Sequence, residues 1–105
     1  MSFLPDVVGR FELGKVLISS GVYAATIERS PLGSFVRFCL ERHVLCDWGI
    51  CLPDDVVHND AAVLGDDSIC SVYYVPPGVY RHQSILFVVT EADRSCTTLL
   101  FESEF

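Results

Sequence analysis

Thr90-Glu91-Ala92-Asp93-Arg94-Ser95 brings two carboxylates, a guanidinium and two hydroxyls into one short run, with Thr97 and Thr98 just beyond. In a pocket, Glu91 and Asp93 can serve as general acid and base, or as oxygen ligands for a hard cation. In a tight loop the same residues hold structure. Asp93 then accepts loop N–H bonds, and Arg94 bridges to Asp93, Glu91 or another acid. We prefer the structural assignment, because acid–base catalysis needs a pocket and a partner that this segment alone does not supply. A second concentration lies at Arg42-His43 and Asp47-Trp48-Gly49. His43 ends an apolar stripe, which favours a hydrogen-bonded, partly buried imidazole over a proton shuttle. Trp48, the only Trp, is either a core anchor or an exposed binding hot spot. Asn59 falls on the inner face of a helix and must be paired there, with the Asp47–Gly49 turn as the expected partner. Together His43, Asp47, Asn59, Glu91, Asp93 and Arg94 contain the groups that an enzymatic or ligand-binding pocket would need.

Two further groupings point to binding instead. Asp54, Asp55, Asp60, Asp66 and Asp67 bunch around one helix and its exit, forming either a solvated face or a negative patch for a basic partner. Tyr73, Tyr74 and Tyr80, with Pro76 and Pro77, make an aromatic–proline edge able to recruit a partner through rigid apolar area. His43, Cys46, Cys51 and His58 give H-x2-C-x4-C-x6-H, and Cys39 lies four before His43, but the tight C-x2-C knuckle of structural zinc sites is missing. We expect no metal and no cofactor. No phosphate-loop, dinucleotide, zinc-protease or nucleophile-elbow motif is present, so no enzymatic activity is suggested.

Charge narrows the partners. Fourteen Asp and Glu against seven Lys and Arg leave the 105 residues at a formal net charge of −7. The single Lys and six Arg are scattered, which argues against direct binding to nucleic-acid backbones. Half the residues are hydrophobic and only 20% charged, too apolar for a disordered chain. The longest apolar run, Ile85-Leu86-Phe87-Val88-Val89, is far below the roughly 20 residues of a membrane span. No basic segment precedes an apolar one in the manner of an export signal. With five Cys, an odd number, we expect free thiols in the cytoplasm.

The elements that must position these groups follow from period and punctuation, within one expected domain over residues 1–105. Residues 1–12 read as an N-terminal arm. Gly14 to Ser19 is a short β-branched strand. Ser20 caps a helix to Arg29 that turns Val22, Ala25 and Ile27 inward. Ser30 caps a second helix with Pro31 at its first position, and Leu32, Phe35, Val36, Cys39, Leu40 and His43 form its apolar stripe. Pro53 opens a third helix with Val56, Asn59, Val63 and Leu64 inward and Gly65 at its end. Ser68–Val75, Ser84–Thr90 and Cys96–Phe101 then read as strands joined by short loops, hence as an antiparallel meander. The expected architecture is α+β: an antiparallel sheet of three to four strands, with two to three helices packed on one face.

The run Leu13-Gly14-Lys15-Val16, Leu40-Glu41-Arg42-His43, Asp47-Trp48-Gly49, Asn59, Ser71-Val72-Tyr73 and Phe87 through Leu100 resembles a family of small acidic bacterial proteins. They are carried on plasmids, phages and integrated elements, and are often called plasmid-related proteins or labelled type I restriction subunits. The likeness covers roughly residues 13 to 105, and Thr90-Glu91-Ala92-Asp93-Arg94-Ser95-Cys96-Thr97-Thr98 is its most specific part. The chain departs from that pattern at Cys46, where Gly is usual, at Phe101-Glu102, where Pro often occurs, in its N-terminal arm and in its additional Cys residues. The resemblance carries over no catalytic residues. It implies mobile-element cargo acting in the cytoplasm of a bacterial host. The expected function is non-enzymatic: an inhibitor of anti-CRISPR or anti-restriction type that covers a basic surface on a host defence nucleoprotein complex. Trp48, the five aspartates and Tyr73, Tyr74 and Tyr80 would carry that contact. A homodimer is expected if the apolar excess forms a self-association face.

Overall fold

The computed structural model describes residues 9–105; residues 1–8 of the expected arm lie outside the described residues. The elements are β1 (Lys15–Ile18), α1 (Ser20–Glu28), α2 (Ser30–Val44), α3 (Pro53–Leu64), β2 (Ile69–Tyr74), β3 (Ile85–Thr90), β4 (Cys96–Phe101) and a 3-10 turn, Glu102–Glu104. The sheet order is β1-β4-β3-β2. β2, β3 and β4 form the antiparallel meander, and β1 adds parallel to β4, with Val16 opposite Thr97. The fold is therefore α+β with a mixed four-stranded sheet.

Alternation decides which face the helices cover. Ile69, Ser71 and Tyr73 of β2, Leu86, Val88 and Thr90 of β3, and Thr97, Leu99 and Phe101 of β4 are all buried. Of these, Tyr73, Leu86, Val88, Leu99 and Phe101 meet Val22 and Ala25 of α1 and Leu32, Val36, Cys39 and Leu40 of α2 in the main core. A second core, Trp48, Ala62 and Ile69, lies under α3 with Phe11 and Val56 packed against it. Burying such side chains stabilises by about 1.5–3 kcal/mol each.

The helix ends differ from expectation in instructive ways. Ser19, not Ser20, caps α1: its hydroxyl accepts from the Val22 N–H at 3.1 Å. Ser30 is already helical, and Arg29 is both the last cap of α1 and the first of α2. This single-residue joint gives its N–H to Ala25 O and its carbonyl to the Leu32 N–H, so no side-chain cap is needed. Ile27 is exposed on α1. On α3, Ala62 turns inward with Asn59; at 100° per residue that directs Leu64 to solvent, where it is 92% exposed.

Both sheet ends are closed by polar contacts. The free edge of β2 is occupied at Val72, whose N–H donates to Trp48 O and whose carbonyl accepts from the Ile50 N–H, which removes a template for unwanted strand pairing. Gly49, at φ 75°, makes that approach: a Cβ there would lie 2.0 Å from Val72 O. At the other end, Glu104 accepts from Ser19 Oγ at 2.7 Å, Phe101 N–H at 2.9 Å and Gly21 N–H at 3.0 Å. Burial alone would raise the Glu104 pKa, but these three donors outweigh it and hold it below the ordinary 4.5. A lowered carboxylate pKa stabilises the fold above the unfolded-state value and ceases to do so as pH falls through the folded one. Glu104→Gln is therefore expected to melt a few degrees below wild type at pH 7, with the gap narrowing as pH drops below 4.5. Differential scanning fluorimetry across pH reads this, and a gap independent of pH would contradict it.

Candidate functional site

His43 is fully buried near the C-terminal end of α2, where the sheet contributes one inward hydroxyl from each of three strands. Its Nδ1 lies 2.5 Å from Ser71 Oγ and its Nε2 2.9 Å from Thr90 Oγ1. Thr90 Oγ1 is 2.7 Å from Thr97 Oγ1, and Thr97 donates at 2.7 Å to the Leu13 carbonyl. Because a carbonyl only accepts, every proton in this chain is fixed. Thr97 donates to Leu13, Thr90 donates to Thr97, His43 donates from Nε2 to Thr90, and Ser71 donates to His43 Nδ1. Burial pushes the His43 pKa down to about 3, so the imidazole is neutral and its unprotonated Nδ1 accepts from Ser71. A serine beside a histidine held by a third group has the geometry of an activated nucleophile. Here Ser71, His43 and Thr90 are all buried, and the Phe11 and Trp48 rings pack against the imidazole at 5.3 and 5.9 Å. The chain of hydroxyls ties α2 to three strands and to the segment before β1.

Four of the remaining candidates for a pocket, Asp47, Asn59, Asp93 and Arg94, are likewise engaged one by one. Asp47 takes a two-pronged bond from Arg42 at 2.8 and 3.1 Å and accepts from Gly49 N–H. The Arg42 guanidinium beside Asp47 holds its carboxyl below the usual range, and the same guanidinium lies 4.8 Å over the Tyr73 ring. Asn59 pairs with β2 rather than with the Asp47–Gly49 turn: its amide donates to Cys70 O at 2.8 Å and accepts from Cys70 N–H at 3.1 Å. That imitates the two bonds of a neighbouring strand. Asp93 accepts from Ser95 N–H, and hydrogen bonding to Ser95 lowers its pKa. Glu91 is exposed on the opposite side of the sheet from His43. Arg94 ignores the neighbouring acids and donates to five carbonyls: Ala62 O at 2.6 Å, Asp67 O at 2.7 Å, Ala92 O at 3.2 Å, Glu91 O at 3.3 Å and Gly65 O at 3.5 Å. It thus locks the β3–β4 loop onto the C-terminal end of α3, where a cation is favoured. These six side chains face different neighbours and do not converge on one cavity.

Three expected contact residues also move inward. Trp48 is only 5% exposed and donates from its indole N–H to Asp60 at 2.9 Å, so it anchors the second core. Tyr73 is buried and donates to Asp47 O at 2.6 Å. Tyr80 stacks on Phe101 with ring centres 5.6 Å apart. Only Tyr74 is exposed, so the three tyrosines form no common edge. Of the spacing considered for zinc, His43 is spent on hydroxyls, Cys51 donates to Trp48 O and His58 lies 3.0 Å from Ser68 O. Among the described residues no three His, Cys, Asp or Glu are grouped to hold a metal. Burial pushes the Cys39 thiol up to about 12 and Cys70 to about 11, which removes thiolate reactivity at those positions.

The aspartates remain at the surface. Asp54 and Asp55 sit in the first turn of α3, where the macrodipole favours them; Asp60, Asp66 and Asp67 are exposed further along and just beyond it. Between them stand exposed apolar side chains: Ile50 at 54% exposure, Leu52 at 71% and Val57 at 69%, which the periodicity did not single out, and Leu64, which it placed inward. With Asn59 and Ala62 fixed inward, the helical period sends Val57 and Leu64 outward, and the polar pairing demand of Asn59 was the signal available for that orientation. A patch in which carboxylates alternate with large exposed aliphatic groups is suited to a macromolecular contact. No family model, curated protein or solved structure matches the chain. Among the described residues no helix is long and apolar enough to cross a membrane.

Proposed function

We propose that this protein is a non-enzymatic inhibitor of mobile-element origin. It acts inside the bacterial host by docking the α3 surface onto a basic surface of a defence nucleoprotein complex of CRISPR or restriction type. The observation that carries this reading is the interleaving of Asp54, Asp55, Asp60, Asp66 and Asp67 with exposed Ile50, Leu52, Val57 and Leu64 on one helix and its flanks. Carboxylates there compete with nucleic-acid phosphates for Lys and Arg, and the aliphatic groups supply desolvated anchors that a simple charge contact lacks. The inward pairing of His43, Asn59 and Arg94 supports the same reading, since it commits the chemistry-bearing residues to the fold.

The test is binding of the purified chain to purified defence complexes across ionic strength. We expect affinity to fall at least about tenfold between 50 and 300 mM salt, as exposed charge contacts are screened over about 10 Å at 0.1 M. Asp54→Lys with Asp55→Lys is expected to abolish binding with the far-UV circular dichroism spectrum unchanged, while the melting temperature falls by several degrees, because the first turn of α3 favours acids. Binding that ignores salt and survives the reversal would refute the proposal.

A further inference from the structure

We infer that two copies of this chain pack through the outer faces of their sheets, forming a two-fold symmetric dimer that leaves both α3 surfaces outward. All three helices cover the inner face. The alternate positions of the same strands, Leu17, Leu100, Val89, Phe87, Ile85 and Val72, point the other way, with Thr98 at their centre. A sheet with one solvated face ordinarily carries polar residues there; this one carries aliphatic and aromatic ones. The described residues span 37 × 32 × 21 Å, and a thickness of 21 Å holds one helix layer on one sheet, at about 10 Å between layers, with no third layer. Four strands about 4.8 Å apart, at most six residues long at about 3.4 Å each, give that face roughly 400 Å² per copy, which with Phe105 added is the low end of specific interfaces and fits a weak dimer.

The face is complementary to itself, which selects a second copy as its occupant. A symmetric contact needs projection and recess on one surface. Phe105 projects, 75% exposed with its ring 4.8 Å from Phe87, beside an open recess of about 300 Å³ lined by Val89, Glu91, Thr98, Leu100 and Phe105. Charge agrees. Lys15 pairs with Cys96 at one end of the sheet, and Glu91, whose N–H donates to Cys96 O, ends β3 one strand further on. A two-fold axis parallel to the strands lays β3 of one copy over β4 of the other. Each Glu91 then lies about one strand spacing, roughly 4.8 Å, to the side of the other copy's Lys15.

Sedimentation equilibrium of the full chain at about 100 µM should give twice 11.7 kDa. Thr98→Arg, a charge at the centre of the outer face, should give a monomer with an unchanged far-UV circular dichroism spectrum. Lys15→Glu and Glu91→Lys, both at exposed positions, should each raise the dimer dissociation constant about tenfold, and the two together should restore it. A wild-type monomer overturns the inference, as it would if the chain's own residues 1–8 covered this face. A dimer that survives Thr98→Arg, or single reversals without effect, overturns it equally, by placing the contact elsewhere. None of these outcomes depends on whether the α3 surface binds a defence complex.

Discussion

His43→Ala is expected to cost about 4 kcal/mol or more, enough to unfold much of the population of a domain whose total stability is of the order of 5–15 kcal/mol. The substitution leaves a cavity where the imidazole was, and deprives the Ser71 and Thr90 hydroxyls of their partner in a fully buried site. The wild type should carry a matching acid signature. In the fold the His43 pKa lies at about 3, against an ordinary 6.5, so between those values the unfolded chain binds a proton that the folded chain refuses. The stabilisation is present in full above pH 6.5, is lost progressively as pH falls, and stops changing below about 3. Roughly 2 kcal/mol should disappear between pH 7 and pH 5, rising to about 5 kcal/mol near pH 3. Urea denaturation at pH 7, 6 and 5 measures this. His43→Gln, which keeps a donor and an acceptor but cannot titrate there, should flatten the profile over that range. A wild-type profile already flat between pH 7 and 5 would show that the imidazole is not held neutral in the core.

Arg94→Ala is expected to cost about 2–3 kcal/mol, the scale of hydrogen bonds to a charged group, lowering the melting temperature by roughly 10–20 °C in a domain of this size. The guanidinium ties the carbonyls of Ala62, Gly65 and Asp67 to those of Glu91 and Ala92, so its loss frees the end of α3 from the β3–β4 loop. Its acceptors are neutral carbonyls, and raising the salt concentration should leave the loss nearly unchanged. Arg94 also sits at φ 61°. Arg94→Gly should therefore be less harmful than Arg94→Ala by about 1 kcal/mol, since glycine adopts the left-handed conformation without penalty. Thermal melts of the two variants decide it; equal losses would mean that the backbone carries no strain there.

Much of the architecture is legible in the residues. The three strands from Ile69 onward announce themselves by β-branched and aromatic content between Pro-Gly and Asp-Arg-Ser turns, and α2 by its stripe from Leu32 to His43. Orientation on α3 is harder. Val63 and Leu64 look like core by hydropathy, yet Asn59 outranks them because its amide must reach Cys70, and Leu64 is left outside. Parallel addition of β1 to β4 is also hidden, since it joins segments some eighty residues apart with no local signal in either.

The dense polar clusters mislead in the opposite sense. Acids, base, imidazole and hydroxyls crowd the segments that looked most chemical, but His43, Asp47, Asn59, Asp93 and Arg94 are each matched to a neighbour by hydrogen-bond arithmetic. His43 is matched to strand hydroxyls that alternate inward with period two, and Arg94 to helix-end carbonyls no motif records. The docking surface we propose lies on the exposed side of α3.

Titrating an unlabelled defence complex into the isotope-labelled chain, and following the methyl resonances, reads that surface directly. Docking through α3 should shift and broaden the resonances of Leu52, Val57 and Leu64 and leave Leu13, Leu32 and Leu99 unmoved. Perturbation centred on the β3–β4 loop, with the three α3-side methyl groups silent, would contradict it.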